Sequence, residues 1–112
     1  TYQSGQEAAR RMFGRSNAPD GVFCVTDLLA LGFMDTARLE FGIRIPEDLC
    51  VVGFDDIEQA GWQSYQLTTF AQPLDIMADT VVDLLLNPGV GDTTRRIIEP
   101  TPIWRRSVRP AG

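Results

Sequence analysis

The sequence predicts an α/β fold, a three-layer sandwich of helices around a mostly parallel sheet. Three observations carry this expectation. Helical and extended patterns follow in the order α, β, α, β, β, α, β, β. The early strands are continuous apolar runs, Val22 to Val25 and Leu49 to Phe54, the mark of strands covered on both faces. The segments between them keep apolar residues at three-to-four-residue spacing. Three parallel strands make a thin sheet where open sheets of this class usually have about five or six, so the chain reads as an incomplete fragment. It also begins with Thr1 rather than Met, which points the same way.

Taken in order, Gly5 to Arg15 reads as a helix, with Ser4 as N-cap and Ala8, Ala9, Met12 and Phe13 as its apolar stripe. Asn17 to Gly21 is a turn, and Val22 to Val25 the first strand. Asp27 caps a second helix that runs to about Phe41 and stops at Gly42. Its apolar residues, from Leu28 and Leu31 to Leu39 and Phe41, wrap more than one face, which calls for a second packing partner. Gly32 in its interior costs about 1 kcal/mol against Ala, which a close helix–helix approach would offset.

After the Ile45 to Asp48 loop, Leu49 to Phe54 is the second strand, ending in the pair Asp55-Asp56. Ile57 to Tyr65 is short helical or irregular structure, and Leu67 to Phe70 is a third strand. Pro73 opens a helix carrying Leu74, Met77, Val81, Leu84 and Leu85 at helical spacing, which Asn87-Pro88-Gly89 ends. Two final strands are expected at Arg95–Glu99 and Pro102–Val108.

Composition excludes several kinds of chemistry. Of 112 residues 44% are apolar, and no run is long enough to span a membrane. Histidine and lysine are both absent, which removes His-dependent triads, zinc motifs, Schiff bases and a P-loop. No cofactor or metal is called for. Cys24 and Cys50 lie in apolar runs and read as reduced core thiols. Net charge is −5, unevenly spread: residues 1–94 carry five arginines against fourteen carboxylates, whereas 95–112 carry five against one. Those arginines alternate with apolar residues as exposed strand positions do, so the tail is weak grounds for nucleic-acid binding. The polar opening residues form no signal peptide.

In an open α/β sheet, ligands bind beyond the carboxyl ends of the strands. Thr26 and Asp27 follow the first strand, Asp55 and Asp56 the second, and Gln72 the third. A hydroxyl, a carboxylate and an amide converging there suit a polyol, a sugar or a base. Asp27 is better explained as an N-cap, and Asp56 as a second choice behind Asp55. Adjacent carboxylates point apart and do not form a glycosidase pair. Gly89-Val90-Gly91 lacks the third glycine of a dinucleotide fingerprint. A phospho-accepting receiver domain would need a lysine that this chain does not have.

Three stretches together, Val22 to Gly32, Gly42 to Asp56 (Gly-Ile-Arg-Ile-Pro-Glu-Asp-Leu-Cys-Val-Val-Gly-Phe-Asp-Asp) and Leu67 to Pro73 (Leu-Thr-Thr-Phe-Ala-Gln-Pro), resemble the C-terminal part of lactose/galactose-repressor (LacI/GalR) transcription regulators. Trp104 to Val108 resembles that family's last strand, so the likeness covers nearly the whole chain. It implies a type I periplasmic-binding-protein-like body of two subdomains, with an effector between them that tunes operator binding by a dimer.

By that resemblance residues 1–72 are part of the C-terminal subdomain, 73–92 a helix that crosses to the N-terminal subdomain, and 93–112 the returning strands. Asp55 and Gln72 inherit effector contacts; Thr26 stands where the family usually has Asn and would offer a shorter, single-hydroxyl contact. Leu28, Leu31, Asp35, Trp62 and Gln63 fall on the family's dimer surface. The implied partners are a small polar effector such as a sugar, a second copy of the chain, and operator DNA only through an absent N-terminal helix-turn-helix. The implied place is the cytoplasm, with no membrane contact and no catalysis. The Pro73 helix, deprived of its usual sheet, is expected to fold back on its own chain or dock on a second copy as a swapped element. The alternatives from the same residues are a periplasmic sugar-binding protein of the same architecture and, from another class, an α/β enzyme or receiver domain.

Overall fold

Helix α1 spans Tyr2–Phe13, one turn earlier than expected, in a computed structural model that describes residues 1–15, 18–87 and 96–111. Thr1, not Ser4, is its N-cap, and the Thr1 Oγ1 accepts the Ser4 N–H at 3.1 Å. The earlier start puts Gly5 inside the helix, where it touches the next one.

Helix α2 spans Asp27–Phe41 and ends at Gly42, whose φ of 62° is a conformation that glycine adopts without penalty. The two helices meet backbone to backbone. A Cβ on Gly32 would lie 1.9 Å from the Tyr2 carbonyl oxygen, and one on Gly5 would lie 2.0 Å from that of Leu29. Close approach is therefore what Gly32 provides, as its position in the helix suggested. Much of the second apolar face of α2 is covered by α1. Ala9, Ala30, Leu31, Phe33, Met34 and Ala37 are buried together, and the Phe13 ring lies 5.8 Å from Phe33 and 5.5 Å from Phe41.

Strand β1 (Gly21–Phe23) pairs in parallel with β2 (Cys50–Val52), Val22 opposite Val51. Two isolated parallel bridges, Val52 to Thr68 and Asp55 to Ala71, carry the order onward to β3 (Thr69–Ala71). Strand β4 (Thr101–Ile103) then adds antiparallel to β3. Both early strands are shorter than their apolar runs. Phe23 and Val25 are 57% and 67% exposed, so β1 is covered on its helix side only, because no described residue lies over the other side.

The last strands need correction. Residues 96–99 are not a strand: the flanking Pro100 lacks an N–H to give a ladder, and Ile97 is exposed. Arg95 lies outside the described residues, as do Asn17 in the first turn and Gly89-Val90-Gly91. The Pro102–Val108 run is β-paired only to Ile103 before it turns at 106–108.

Helix α3 spans Leu74–Leu86, with Pro73 at the N-cap and Asn87 at the C-cap; Pro88 and Gly89 lie outside the described residues. None of its residues is buried, and Leu74, Ile76, Val81, Val82, Leu85 and Leu86 are all more than half exposed. The expected fold-back onto its own chain does not occur.

Candidate functional site

The site grows from the carboxyl ends of β1, β2 and β3. Beyond β1, Thr26 rather than Asp27 is the N-cap of α2: its Oγ1 accepts the Leu29 N–H at 3.3 Å. Asp27 is instead fully buried. Its Oδ1 accepts the Thr69 hydroxyl at 2.6 Å and its Oδ2 accepts the Ile57 N–H at 2.9 Å. Its own N–H donates to the Phe54 carbonyl at 2.9 Å. One carboxylate thus ties α2, the end of β2 and the start of β3 together. Gly53 makes room for it, since a Cβ there would lie 2.3 Å from Asp27 Oδ1.

Beyond β2 the chain makes an unusual turn. Asp55 has φ 131° and Asp56 φ 60°, two consecutive non-glycine residues at positive φ. Such positions cost on the order of 1–3 kcal/mol each and persist only where the surroundings hold them. Each is held from a different side. The Asp55 N–H donates to the Phe70 carbonyl at 2.9 Å, and its Oδ1 accepts from Gln72 Nε2 at 2.7 Å. Asp56 Oδ1 accepts from Arg105 Nη2 at 2.8 Å, an ion pair with both side chains mostly covered.

Asp55 and Gln72 are therefore neighbours at the end of the sheet, as the sequence predicts. Thr26 follows the adjoining strand, but its oxygen already serves the helix cap. Asp56 is an internal ligand of Arg105 rather than a second open carboxylate. Sequence reasoning missed Arg105, which it placed among exposed arginines; its partners are distant in sequence and no local pattern points to them. It also missed the half-buried ring pair of Phe54 and Phe70, 6.1 Å apart, which lies one residue before Asp55 and two before Gln72.

The surface residues separate as well. Trp62 and Leu28 are about half exposed at 51% and 47%, and Gln63 is exposed. Leu31 is 3% exposed and belongs to the core, so it has almost no surface to offer a partner chain. Asp35 is half-buried and accepts hydrogen bonds from both tyrosines, Tyr2 and Tyr65 (2.9 Å for the latter). Those bonds hold Tyr2 up at about 12, with the Asp35 bond as the leading cause; burial first and the Asp35 bond second raise Tyr65.

A groove of about 470 Å³ opens beside Gln72 and the first turn of α3. A larger apolar groove of about 810 Å³ lies elsewhere, between Pro46, Trp104, Val108 and Pro110. Size alone would favour the second, but polar ligands are oriented by converging polar groups; Gln72 lines the smaller groove, and neither Asp55 nor Gln72 lines the larger one. Among the described residues no cluster of carboxylates and thiols could hold a metal ion, and no helix is long and apolar enough to cross a membrane. Cys24 and Cys50 are both free.

Residues 1–108 match the periplasmic binding protein-like domain. The chain is 34% identical over 109 residues to the HTH-type transcriptional repressor PurR of Salmonella paratyphi B; the match covers 95% of this chain and 32% of the repressor. The chain thus spans about a third of the length of the curated relatives it matches. It superposes on the lac repressor dimer bound to operator and the anti-inducer ONPF with a TM-score of 0.85 at 27% identity, covering 96% of this chain and 38% of that one. A LacI-family regulator from Arthrobacter sp. FB24 in complex with lactose gives 0.85 at 28% identity, covering 97% and 42%. The chain belongs to the family of periplasmic binding protein-like domains, in the form found in LacI-family transcription regulators.

Proposed function

We propose that this chain is the effector-binding and dimerisation part of a LacI/GalR-like bacterial transcription regulator, non-enzymatic and cytoplasmic. The observation that carries the reading is the Asp55–Gln72 pair, an acid and an amide 2.7 Å apart at the carboxyl end of a parallel sheet. Together they offer acceptor oxygens and amide donors to the hydroxyls of a small polar molecule, and a sugar is the best fit. Lactose in a similar solved structure supports that class.

In this reading residues 1–72 form the body of one subdomain, α3 crosses to a second, and 93–112 return. The exposed apolar face of α3 supports the assignment, since a helix so uncovered has a partner elsewhere in a longer molecule. Leu28, Trp62 and Gln63 form the surface offered to a second copy, with Asp35 at its edge held by Tyr2 and Tyr65. Operator contacts fall to a part that the relatives have and this chain does not span.

The test is a thermal-shift screen of the chain with lactose, sucrose and adenine as probes, repeated on Asp55→Ala. A probe at about 100 times its Kd adds about 2.7 kcal/mol to the wild type and far less to the variant. An equal shift in both would remove Asp55 from the site.

A further inference from the structure

Resting on that reading of the site, we propose that Arg105 is a positioning residue: through Asp56 it holds the Asp55–Asp56 turn, and so aims the Asp55 carboxylate at Gln72. The guanidinium reaches two places at once. Nη2 donates to Asp56 Oδ1 at 2.8 Å and Nη1 to the Leu67 carbonyl at 3.0 Å. Its backbone is fixed as well: the Arg105 N–H donates to Thr68 Oγ1 at 2.8 Å, and that hydroxyl donates to the Arg105 carbonyl at 3.1 Å. Arg105 is thus rigidly mounted on the start of β3 and aimed at the second residue of the turn.

The turn needs such a hold. Asp55 and Asp56 both sit at positive φ, where side-chain-bearing residues rarely rest. Four ties fix it: the Phe70 carbonyl on the Asp55 N–H, Gln72 on the Asp55 side chain, Arg105 on the Asp56 side chain, and Asp27 on the Ile57 N–H. Gln72 directly follows β3, between it and α3, and Arg105 lies just after β4. The adjacent carboxylates are therefore held by two different segments of the chain.

The test needs no ligand, so its outcome is separate from the screen above. The side-chain amide of Gln72 is followed by 15N–1H NMR in wild type, Arg105→Met, Arg105→Lys, Asp56→Gly and the Arg105→Met/Asp56→Gly pair, with melting temperatures recorded alongside. In the wild type the two Gln72 amide protons are resolved, one shifted by its bond to Asp55. Arg105→Met collapses that separation to the value of a solvated glutamine; Arg105→Lys, which keeps the charge but not the fork that reaches two acceptors at once, restores part of it. The double variant collapses no further than either single one, as expected when both act on the same turn. A Gln72 signal unchanged in Arg105→Met, with only the melting temperature lowered, would make Arg105 a structural residue and overturn the proposal. If every variant unfolds, Gln72→Glu in an intact Arg105 background decides. The new carboxylate should repel that of Asp55, shift the Asp55–Asp56 turn and so weaken the Arg105–Asp56 pair, seen as a loss of the protected Arg105 Nη signals; retention of those signals would equally overturn the proposal.

Discussion

Asp27 is fully buried, and no cation lies among its hydrogen-bond partners; its charge is carried by two neutral donors, the Thr69 hydroxyl at 2.6 Å and the Ile57 N–H at 2.9 Å. Replacing it with Ala removes both bonds, leaving the fully buried Thr69 hydroxyl and the half-buried Ile57 N–H without their acceptor. An unpaired buried group costs about 1–3 kcal/mol and a half-buried one less, so the expected loss is about 3 kcal/mol. That is a large share of the roughly 5–15 kcal/mol that holds a domain together. Thr69→Val, which removes one donor and keeps the shape, should cost about 2 kcal/mol. Because both changes break the same bond, the double variant should be more stable than the sum predicts by at least about 1 kcal/mol. Urea denaturation followed by tryptophan fluorescence measures all three. A loss below about 1 kcal/mol for Asp27→Ala, or strict additivity with Thr69→Val, would refute Asp27 as the tie between α2 and the two strands.

Gly32→Ala normally gains about 1 kcal/mol in a helix interior. Here the new Cβ would lie 1.9 Å from the Tyr2 carbonyl, so we expect destabilisation instead, and a stabilised variant in thermal melts would contradict the close packing of α1 on α2. Burial, followed by the nearby Asp27 charge, pushes the Cys24 thiol up to about 11. Iodoacetamide at pH 8 should therefore label Cys50 well before Cys24; equal rates would count against the packing around β1. The same shift fixes a sign: the proton held by folded Cys24 favours the native state below about pH 9, and that contribution fades as pH rises through about 11. Absorbance at 295 nm should show both tyrosines ionising above their usual 10, with Asp35→Asn bringing the midpoints down. An unchanged titration in that variant would break the Tyr2–Asp35–Tyr65 cluster.

How much was legible depended on whether the signal was local. The end of helix α2 could be read because its stop signal, Gly42, lies at its own boundary. The positions of Asp55 and Gln72 were legible because an apolar run followed by a polar residue marks a strand end, and parallel strands bring their ends to one side. The exchange of roles between Thr26 and Asp27 was not. Either side chain can cap a helix, and the choice was made by Thr69 and Ile57, which lie far along the chain. Arg105 was misplaced for the same reason: its alternation with apolar neighbours is that of an exposed strand residue, while Asp56 lies 49 positions away. The exposed faces of β1 and α3 show the converse. Their apolar patterns predict burial correctly as a tendency, but burial needs a partner, and the described residues supply none.

The geometry of the acid–amide pair is tested most directly by a crystal structure of the chain with whichever of lactose, sucrose or adenine stabilises it most. We expect the probe within hydrogen-bond distance of both the Asp55 carboxylate and the Gln72 amide. A probe seated instead in the apolar groove of Pro46, Trp104 and Val108, with Asp55 and Gln72 still bonded only to each other, would contradict the site proposed at the ends of β2 and β3.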